Sequence, residues 1–420
     1  MTTIVEWSQH KRLRASIPAL DNDGRRRRLF LDAPSGTQMP RSVLHAMNGY
    51  ILGGMANRGG IFPTALDTEE MLLDTRQKVR ALLGLTDRHT VVFGQNMTSL
   101  AFIAAAAIQR DWHTGTGRHV VLSELDHHAN IDPWLSAGRD AEMGERWLEV
   151  DPRTYSLDLT RLDDIVDEKS ALVAVGLSSN AVGTASDINR IVHRAREVGA
   201  ISVIDAVHGL SHIPMDVDAL GADIVFLSAY KMFGPHIGVM AIRDEVLERI
   251  RFNKLGPAPT TGFGKAELGT QNMEAVAGLS AAIDFVATFG DDGATSLRSR
   301  LLSAVANFAR YEDGLAESFV CQLGDVPGVR LARAPHHFAK TSTVAFTVDG
   351  VSPEAIARRC ATEGVYLTHG MFYAHTLARR VQVAEKGGWV RVGIAPYHDA
   401  EDMSATIGAL RRAIAAESRS

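Results

Sequence analysis

The sequence predicts an α/β protein: a large domain built on a mostly parallel sheet, followed by a smaller α/β domain. Three observations carry this. Between about residues 30 and 245, short β-rich runs alternate with amphipathic stretches, the pattern of right-handed βαβ units. These runs are apolar on both faces, as strands buried in a parallel sheet are. Beyond a polar, Gly-rich patch from Phe289 to Thr295 the rhythm changes.

In chain order, Pro40 opens a first helix, and Asp67 is a candidate cap for a second that stops near Gly84. HTVVFG (89–94) reads as a strand running into the turn Gly94-Gln95-Asn96-Met97-Thr98, and a helix begins near Met97. HVVLSE (119–124) and ALVAVGL (171–177) are the next strands, and Asp187 starts a helix that ends around Gly199. AISVIDAV (200–207), ADIVFLSAY (222–230) and GVMAI (238–242) complete this series. A long helix then runs from Leu297 to about Leu323. STVAFTV (342–348), a helix opened by Ser352 and Pro353, VYLTH (365–369), WVRVGI (389–394) and a final helix from about Ala400 form the small domain. The expected division is an N-terminal segment, 1–30, packing with the small domain, a large domain, 31–290, and a small C-terminal domain, 291–420.

Composition narrows the function. Hydrophobic residues at 45% and charged ones at 22% exclude a disordered or fibrous chain. A formal charge of −5 gives no electrostatic reason to bind nucleic acid or an anionic membrane. The longest apolar stretch, Ala101 to Ile108, is too short to span a bilayer, and MTTIVEWSQHKRLRASIP lacks the apolar core of a signal peptide. Two cysteines, Cys321 and Cys360, cannot make a disulfide framework or a Cys-based zinc site, so a cytoplasmic home is expected. The basic run Arg25 to Arg28 reads as a solvated edge.

Ligands of open α/β sheets collect at the carboxyl ends of the strands. Here those ends are Gly94 to Thr98, Asp126-His127-His128, Ser179-Asn180, Asp205 with His208 three positions on, and Ser228-Ala229-Tyr230-Lys231. A lysine directly after an apolar strand sits where burial depresses its pKa and makes the amine nucleophilic, and the natural use of such an amine is an imine. An aspartate closing a neighbouring strand can face a cationic ring nitrogen, the arrangement that keeps pyridoxal phosphate protonated as an electron sink. The turn before Met97 can receive a phosphate on helical N–H groups. Asp126, His127, His128 and Asp132 share one loop and are poorly spread around a single ion, so no metal is expected.

These residues fall within longer blocks: LDAPSGTQMP, FGQNMTSLAF, LDHHANIDPW, SSNAVGT, VIDAVHGLSHIPMDVDALGADIVFLSAYKMFGPHIG, ELGTQN and VRVGIAPYHDAEDM. In content and order they resemble the class V aminotransferases, and within them the cysteine desulfurase-like group. The resemblance implies the pyridoxal-phosphate-dependent transferase fold type I, with a seven-stranded, mostly parallel sheet and a homodimer with shared active sites. It makes Lys231 the Schiff-base lysine and proton shuttle, Asp205 the partner of the pyridine nitrogen and His127 the residue stacked on the ring. Asn180 and His208 are implied near the phenolic oxygen, and Asn96, Met97 and Ser228 at the phosphate. Thr270 is implied to reach the phosphate across the dimer, and Arg391 to take the substrate α-carboxylate by a bidentate pair.

Three departures stand out. Where the family carries a persulfide-forming cysteine, alignment through Gly364 and Gly370 places Tyr373, in Thr368-His369-Gly370-Met371-Phe372-Tyr373-Ala374. Asp126 stands where glutamate is common before the stacking histidine, and Tyr230 where a histidine often precedes the lysine. The expected activity is therefore pyridoxal-phosphate chemistry at Cα and Cβ of a small-molecule L-amino acid. The first reading is a cysteine desulfurase-like C–S lyase without a persulfide cysteine, with Tyr373 facing substrate. An aminotransferase or an epimerase of the same family is the alternative. A non-catalytic pyridoxal-phosphate-binding protein is more remote, since a scaffold has no need of both Lys231 and Arg391.

Overall fold

The computed structural model describes residues 7–21, 28–112 and 117–418, so Arg25, Arg26 and Arg27 of the basic run lie outside the described residues. The central sheet has seven strands: β1 (His89–Gly94), β2 (His119–Ser123), β3 (Gly144–Leu148), β4 (Ser170–Gly176), β5 (Ile201–Asp205), β6 (Ile224–Ser228) and β7 (Gly238–Arg243). Their order is β1-β7-β6-β5-β4-β2-β3. Only β7 runs against its neighbours, so the other six strands point one way and end at one edge.

The two faces of the sheet follow the two-residue period of a strand. Phe93, Val121, Val173, Val175, Ile204, Val225 and Val239 pack on one side. Val92, Val120, Leu172, Ala174, Val203, Phe226 and Met240 pack on the other, against α3 (Met97–Gln109). The small residues Ala101, Ala104 and Ala105 bring that helix close to the sheet. Helices α1 (Arg41–Gly54) and α2 (Pro63–Leu83) precede β1, and α4 (Ile188–Glu197) links β4 to β5 with Asp187 accepting from Arg190 N. Then come α5 (Met273–Ala287) and α6 (Leu297–Gly324).

The C-terminal part holds α7 (Pro353–Thr362), α8 (Ala400–Glu417) and a four-stranded sheet. Its strands are β8 (Val329–Ala332), β9 (Thr343–Val348), β10 (Thr368–Gly370) and β11 (Trp389–Gly393), ordered β8-β9-β11-β10. Phe319, Phe346, Val392 and Leu410 form its core together with Leu29 and Leu31 from the N-terminal side. The helix His10–Ala15 sits at the junction: Leu13 joins the large cluster, and Arg14 Nη1 donates to Asp402 Oδ2 at 2.5 Å on α8. Among the described residues no helix is long and apolar enough to cross a membrane.

Some expectations need correction. Asp67 lies inside α2, which starts at Pro63 with Phe62 at the N-cap. β3 was not foreseen because GERWL is polar and half exposed at the sheet edge, and β8 escaped because it is a four-residue edge strand, VRLA, too short to show a pattern. VYLTH is two short strands: Val365–Tyr366 pairs in parallel with Leu29–Phe30, while Thr368 begins β10.

Candidate active site

At the common carboxyl edge, the β1–α3 turn is closed by a capping box in which Asn96 Oδ1 accepts from Ser99 N at 2.9 Å. Met97 N, at the start of the helix, donates to Ser228 Oγ at 3.3 Å, which ties the turn to the end of β6. A Cβ on Gly238 would lie 2.3 Å from the Asn96 carbonyl carbon, so β7 passes behind the turn only as glycine.

One pocket opens above this floor. Asn96, Met97, His127 and Asn180 line it together with Asp205, His208, Ser228 and Lys231. Thus eight of the residues expected at the site come from five separate strand ends to one place. Lys231 ends a short 3₁₀ turn after β6 and is buried. Burial pulls its amine down to about 8, against the opposing pull of Asp205. Burial raises the carboxyl of Asp205, and the N–H of Val207, at 2.9 Å, with the charge of Lys231 works against that rise.

His127 is pushed down to about 3, first by burial and then by Lys231. Its Nδ1 accepts from Ala129 N at 2.9 Å, which assigns the ring proton of the neutral form to Nε2. His208 is also held far below its ordinary value by burial, with Nε2 between Thr341 Oγ1 and Thr343 Oγ1. Asp126 is a further buried acid on the pocket wall. Burial lifts it to about 7, although Asn130 Nδ2 and Gly176 N donate to it at 2.8 and 2.9 Å. Strand register sets it near Asp205, because Gly176 is the partner of Asp205 across β4 and β5.

Three expected residues stand outside the pocket wall. Arg391, on β11, is 1% exposed. Its Nη1 donates to Asn180 O at 2.9 Å and its Nη2 to Asp32 Oδ1 and Ser35 Oγ, each at 2.6 Å. The ring of Phe372 lies over the guanidinium, 3.9 Å from ring centre to Cζ. Tyr373 is 68% exposed, with its ring 5.2 Å from that of His127 and its backbone oxygen accepting from His128 N at 2.8 Å. Phe372 and Tyr373 both have left-handed backbone, φ 55° and 56°, an arrangement that costs non-glycine residues energy. Thr270 is exposed and borders a separate cleft beside Gly94, Gln95 and His236.

Sequence reasoning did not assign Asp32, Ser35 or Phe372 to the site. The available signals were the LDAPSGTQMP block, which holds Asp32 and Ser35, and the 368–374 loop, which holds Phe372.

The pocket fits pyridoxal phosphate. A buried lysine, a half-buried acid on the neighbouring strand and a helix N-terminus with a hydroxyl beside it supply an amine, a cation partner and phosphate donors. Asn180 Oδ1, on the pocket wall, is buried without a hydrogen-bond partner, an unsatisfied polar atom of the kind a bound polar group would serve. Among the described residues no group of three or more His, Cys, Asp or Glu side chains gathers as a metal site.

Known proteins bear on this geometry. Residues 29–405 match the family model described as aminotransferase class-V. Over 415 residues the chain is 30% identical to a probable cysteine desulfurase of Pseudomonas aeruginosa, covering 96% of this chain and 97% of that one. It is similar to the crystal structure of the cysteine desulfurase CsdA (S-sulfonic acid) from Escherichia coli, with TM-score 0.84, 25% identity, and 98% and 100% of the two chains covered. The apo cysteine desulfurase from Thermococcus onnurineus NA1 shares the fold, with TM-score 0.85, 22% identity, and 97% and 98% covered. With that match spanning nearly its whole length, the chain belongs to the class-V aminotransferases, a family of pyridoxal-phosphate enzymes of fold type I.

Proposed function

We propose that this protein is a pyridoxal-phosphate-dependent carbon–sulfur lyase that acts on L-cysteine or a closely related L-amino acid. Its sulfur leaves in solution, not as a persulfide on the protein. The observation that carries the reading is the buried Lys231 amine, with a pKa near 8, in one pocket with the half-buried Asp205 carboxyl. The relatives named as cysteine desulfurases choose the reaction class.

When bound, the cofactor supplies an electron sink for the pair left at Cα. Asp205 holds a proton on the ring nitrogen, His127 lies against the ring, and Asn180 and His208 serve the phenolic oxygen. Asn96, Met97 and Ser228 hold the phosphate, and Thr270 reaches it from the partner chain. Arg391 takes the substrate α-carboxylate. Lys231 Nζ accepts the Cα proton, and at a pKa near 8 it can return that proton at neutral pH. Tyr373 faces the substrate side chain.

Absence of a persulfide relay is supported by the two thiols. Cys360 is buried in α7, where burial pushes its thiol up to about 12, a poor nucleophile at neutral pH. Cys321 is on α6, and the 371–374 loop offers a phenol in place of a thiol.

A homodimer is supported by large apolar side chains left in water: Leu52, Met55 and Ile61 are 86%, 62% and 95% exposed, and Leu255 is 71% exposed. The same inference covers the division at 30 and 290. Pairing of Leu29–Phe30 with Val365–Tyr366, and of Arg14 with Asp402, supports grouping the first segment with the small domain. A cytoplasmic location rests on the cysteine count alone.

The test is incubation of the cofactor-loaded protein with L-cysteine and L-cystine while sulfide, pyruvate and alanine are measured together. Sulfur release with pyruvate is expected. Amino-group transfer without sulfur release, or inversion at Cα alone, would replace the lyase by the aminotransferase or the epimerase.

A further inference from the structure

Arg391 already has a carboxylate. The Asp32 oxygen at 2.6 Å and the Ser35 hydroxyl at 2.6 Å take Nη2, and the Asn180 carbonyl takes Nη1. Nε is the nitrogen left buried and unpaired. Phe372 covers a face of the guanidinium, so an incoming anion approaches the edge of the fork, and the Nη2 edge is where Asp32 sits.

Asp32 is also fixed. Its backbone bridges to Gly393, two residues beyond Arg391 on β11, and Gly393 N donates to Leu31 O at 2.7 Å. The approach is so close that a Cβ on Gly393 would lie 1.9 Å from Pro34 Cδ. Asp32 Oδ1 further accepts from Ser35 Oγ at 2.9 Å and Thr368 Oγ1 at 2.8 Å. The side chain is still 28% exposed, at a cleft that it lines with Ser35, Thr368 and Tyr230. Tyr230 also lines the Lys231 pocket, so the cleft borders the site.

We infer that Asp32 is a specificity-determining residue, a resident carboxylate on Arg391 that weakens the preference for a substrate's free α-carboxylate over its neutral amide or ester. The inference rests on Arg391 being the α-carboxylate seat. An arginine whose charge is already balanced, and whose Nη2 donors are committed, has less to offer a second carboxylate than a free one. The acid still binds, through the remaining donors and through whatever share Asp32 yields. Its advantage over a neutral analogue shrinks to less than about tenfold, below the range of an unshared charged hydrogen bond.

The experiment titrates the purified, pyridoxal-phosphate-loaded dimer or monomer, as isolated, with L-alanine and L-alaninamide, following cofactor absorbance. It then compares KM and kcat for L-cysteine and its methyl ester. In the wild type, an affinity ratio of acid to amide below about tenfold is expected, and one above about a hundredfold overturns the inference. That arm needs no variant to fold. In Asp32→Asn the ratio should widen by about another tenfold through tighter acid binding, with amide affinity unmoved and kcat shifting less than KM. Ser35→Ala, which keeps the Asp32 charge and frees one Nη2 donor, should widen the ratio by less than Asp32→Asn does. Acid and amide moving together in Asp32→Asn, or a ratio that falls, would show a structural role and overturn the inference. If L-cysteine yields no sulfide while the alanine titrations behave as stated, the lyase reading fails and the assignment of Asp32 stands.

Discussion

Replacing Asp126 by asparagine should flatten the pH dependence of stability. In the native protein the carboxyl titrates near 7 instead of 3.8, because full burial outweighs the hydrogen bonds from Asn130 and Gly176. Between those two values the native state keeps a proton that the unfolded chain has lost, so stability falls as pH rises and is lowest above 7. A rise of about 3 pH units at 1.36 kcal/mol each makes the whole loss about 4 kcal/mol, of which about 3 kcal/mol falls between pH 4.5 and 8. The group is fully buried, so no solvent screening reduces this. Asparagine keeps an oxygen for Gly176 N and loses the bond from Asn130, a cost of about 1 kcal/mol that does not vary with pH. Urea unfolding of both proteins, cofactor-loaded, at pH 4.5 and 8 reads the difference directly. Parallel pH dependences would refute the argument, because the buried acid would then not be the group that titrates.

Three further outcomes follow from the same site. Borohydride reduction of the loaded protein should fix the cofactor to the peptide containing Lys231, and Lys231→Ala should retain it only loosely with no turnover; label on another lysine would move the site. Asp205→Ala should lower turnover by at least about a hundredfold while cofactor content and fold change little, as absorbance and circular dichroism would report; near-wild-type kcat would mean the ring nitrogen has another partner. The Cys321→Ser/Cys360→Ser double variant should keep most of its sulfur release, and a persulfide found by mass spectrometry on Cys360 during turnover, with activity lost in Cys360→Ser, would restore a relay through the protein.

What the sequence disclosed follows burial and distance along the chain. A parallel strand with both faces covered is an uninterrupted apolar run, as in β4 and β6, so the polar residue that ends it is conspicuous. Asp205, Asn180 and Lys231 were legible for that reason. β3 has one covered edge and a polar face, and GERWL carries no run to notice. The link between Asp32 and Arg391 spans 359 positions and depends on the turn after Leu31 lying against Gly393. No local pattern encodes that distance.

The same contrast explains why the cofactor side of the site was easier to foresee than the substrate side. The residues proposed to face the ring and phosphate come from strand ends of one sheet, where topology alone gathers them. The residues proposed to face the substrate come from the 32–36 turn, β11 and the 371–374 loop, which meet only because the second sheet packs against the first. Strain is also stored there, in the paired left-handed residues Phe372 and Tyr373, each tied by its backbone oxygen to a residue of the first domain, Asn180 or His128. Substitutions at Asp32, Phe372 and Tyr373 should therefore change what the enzyme accepts before they change whether it holds its cofactor.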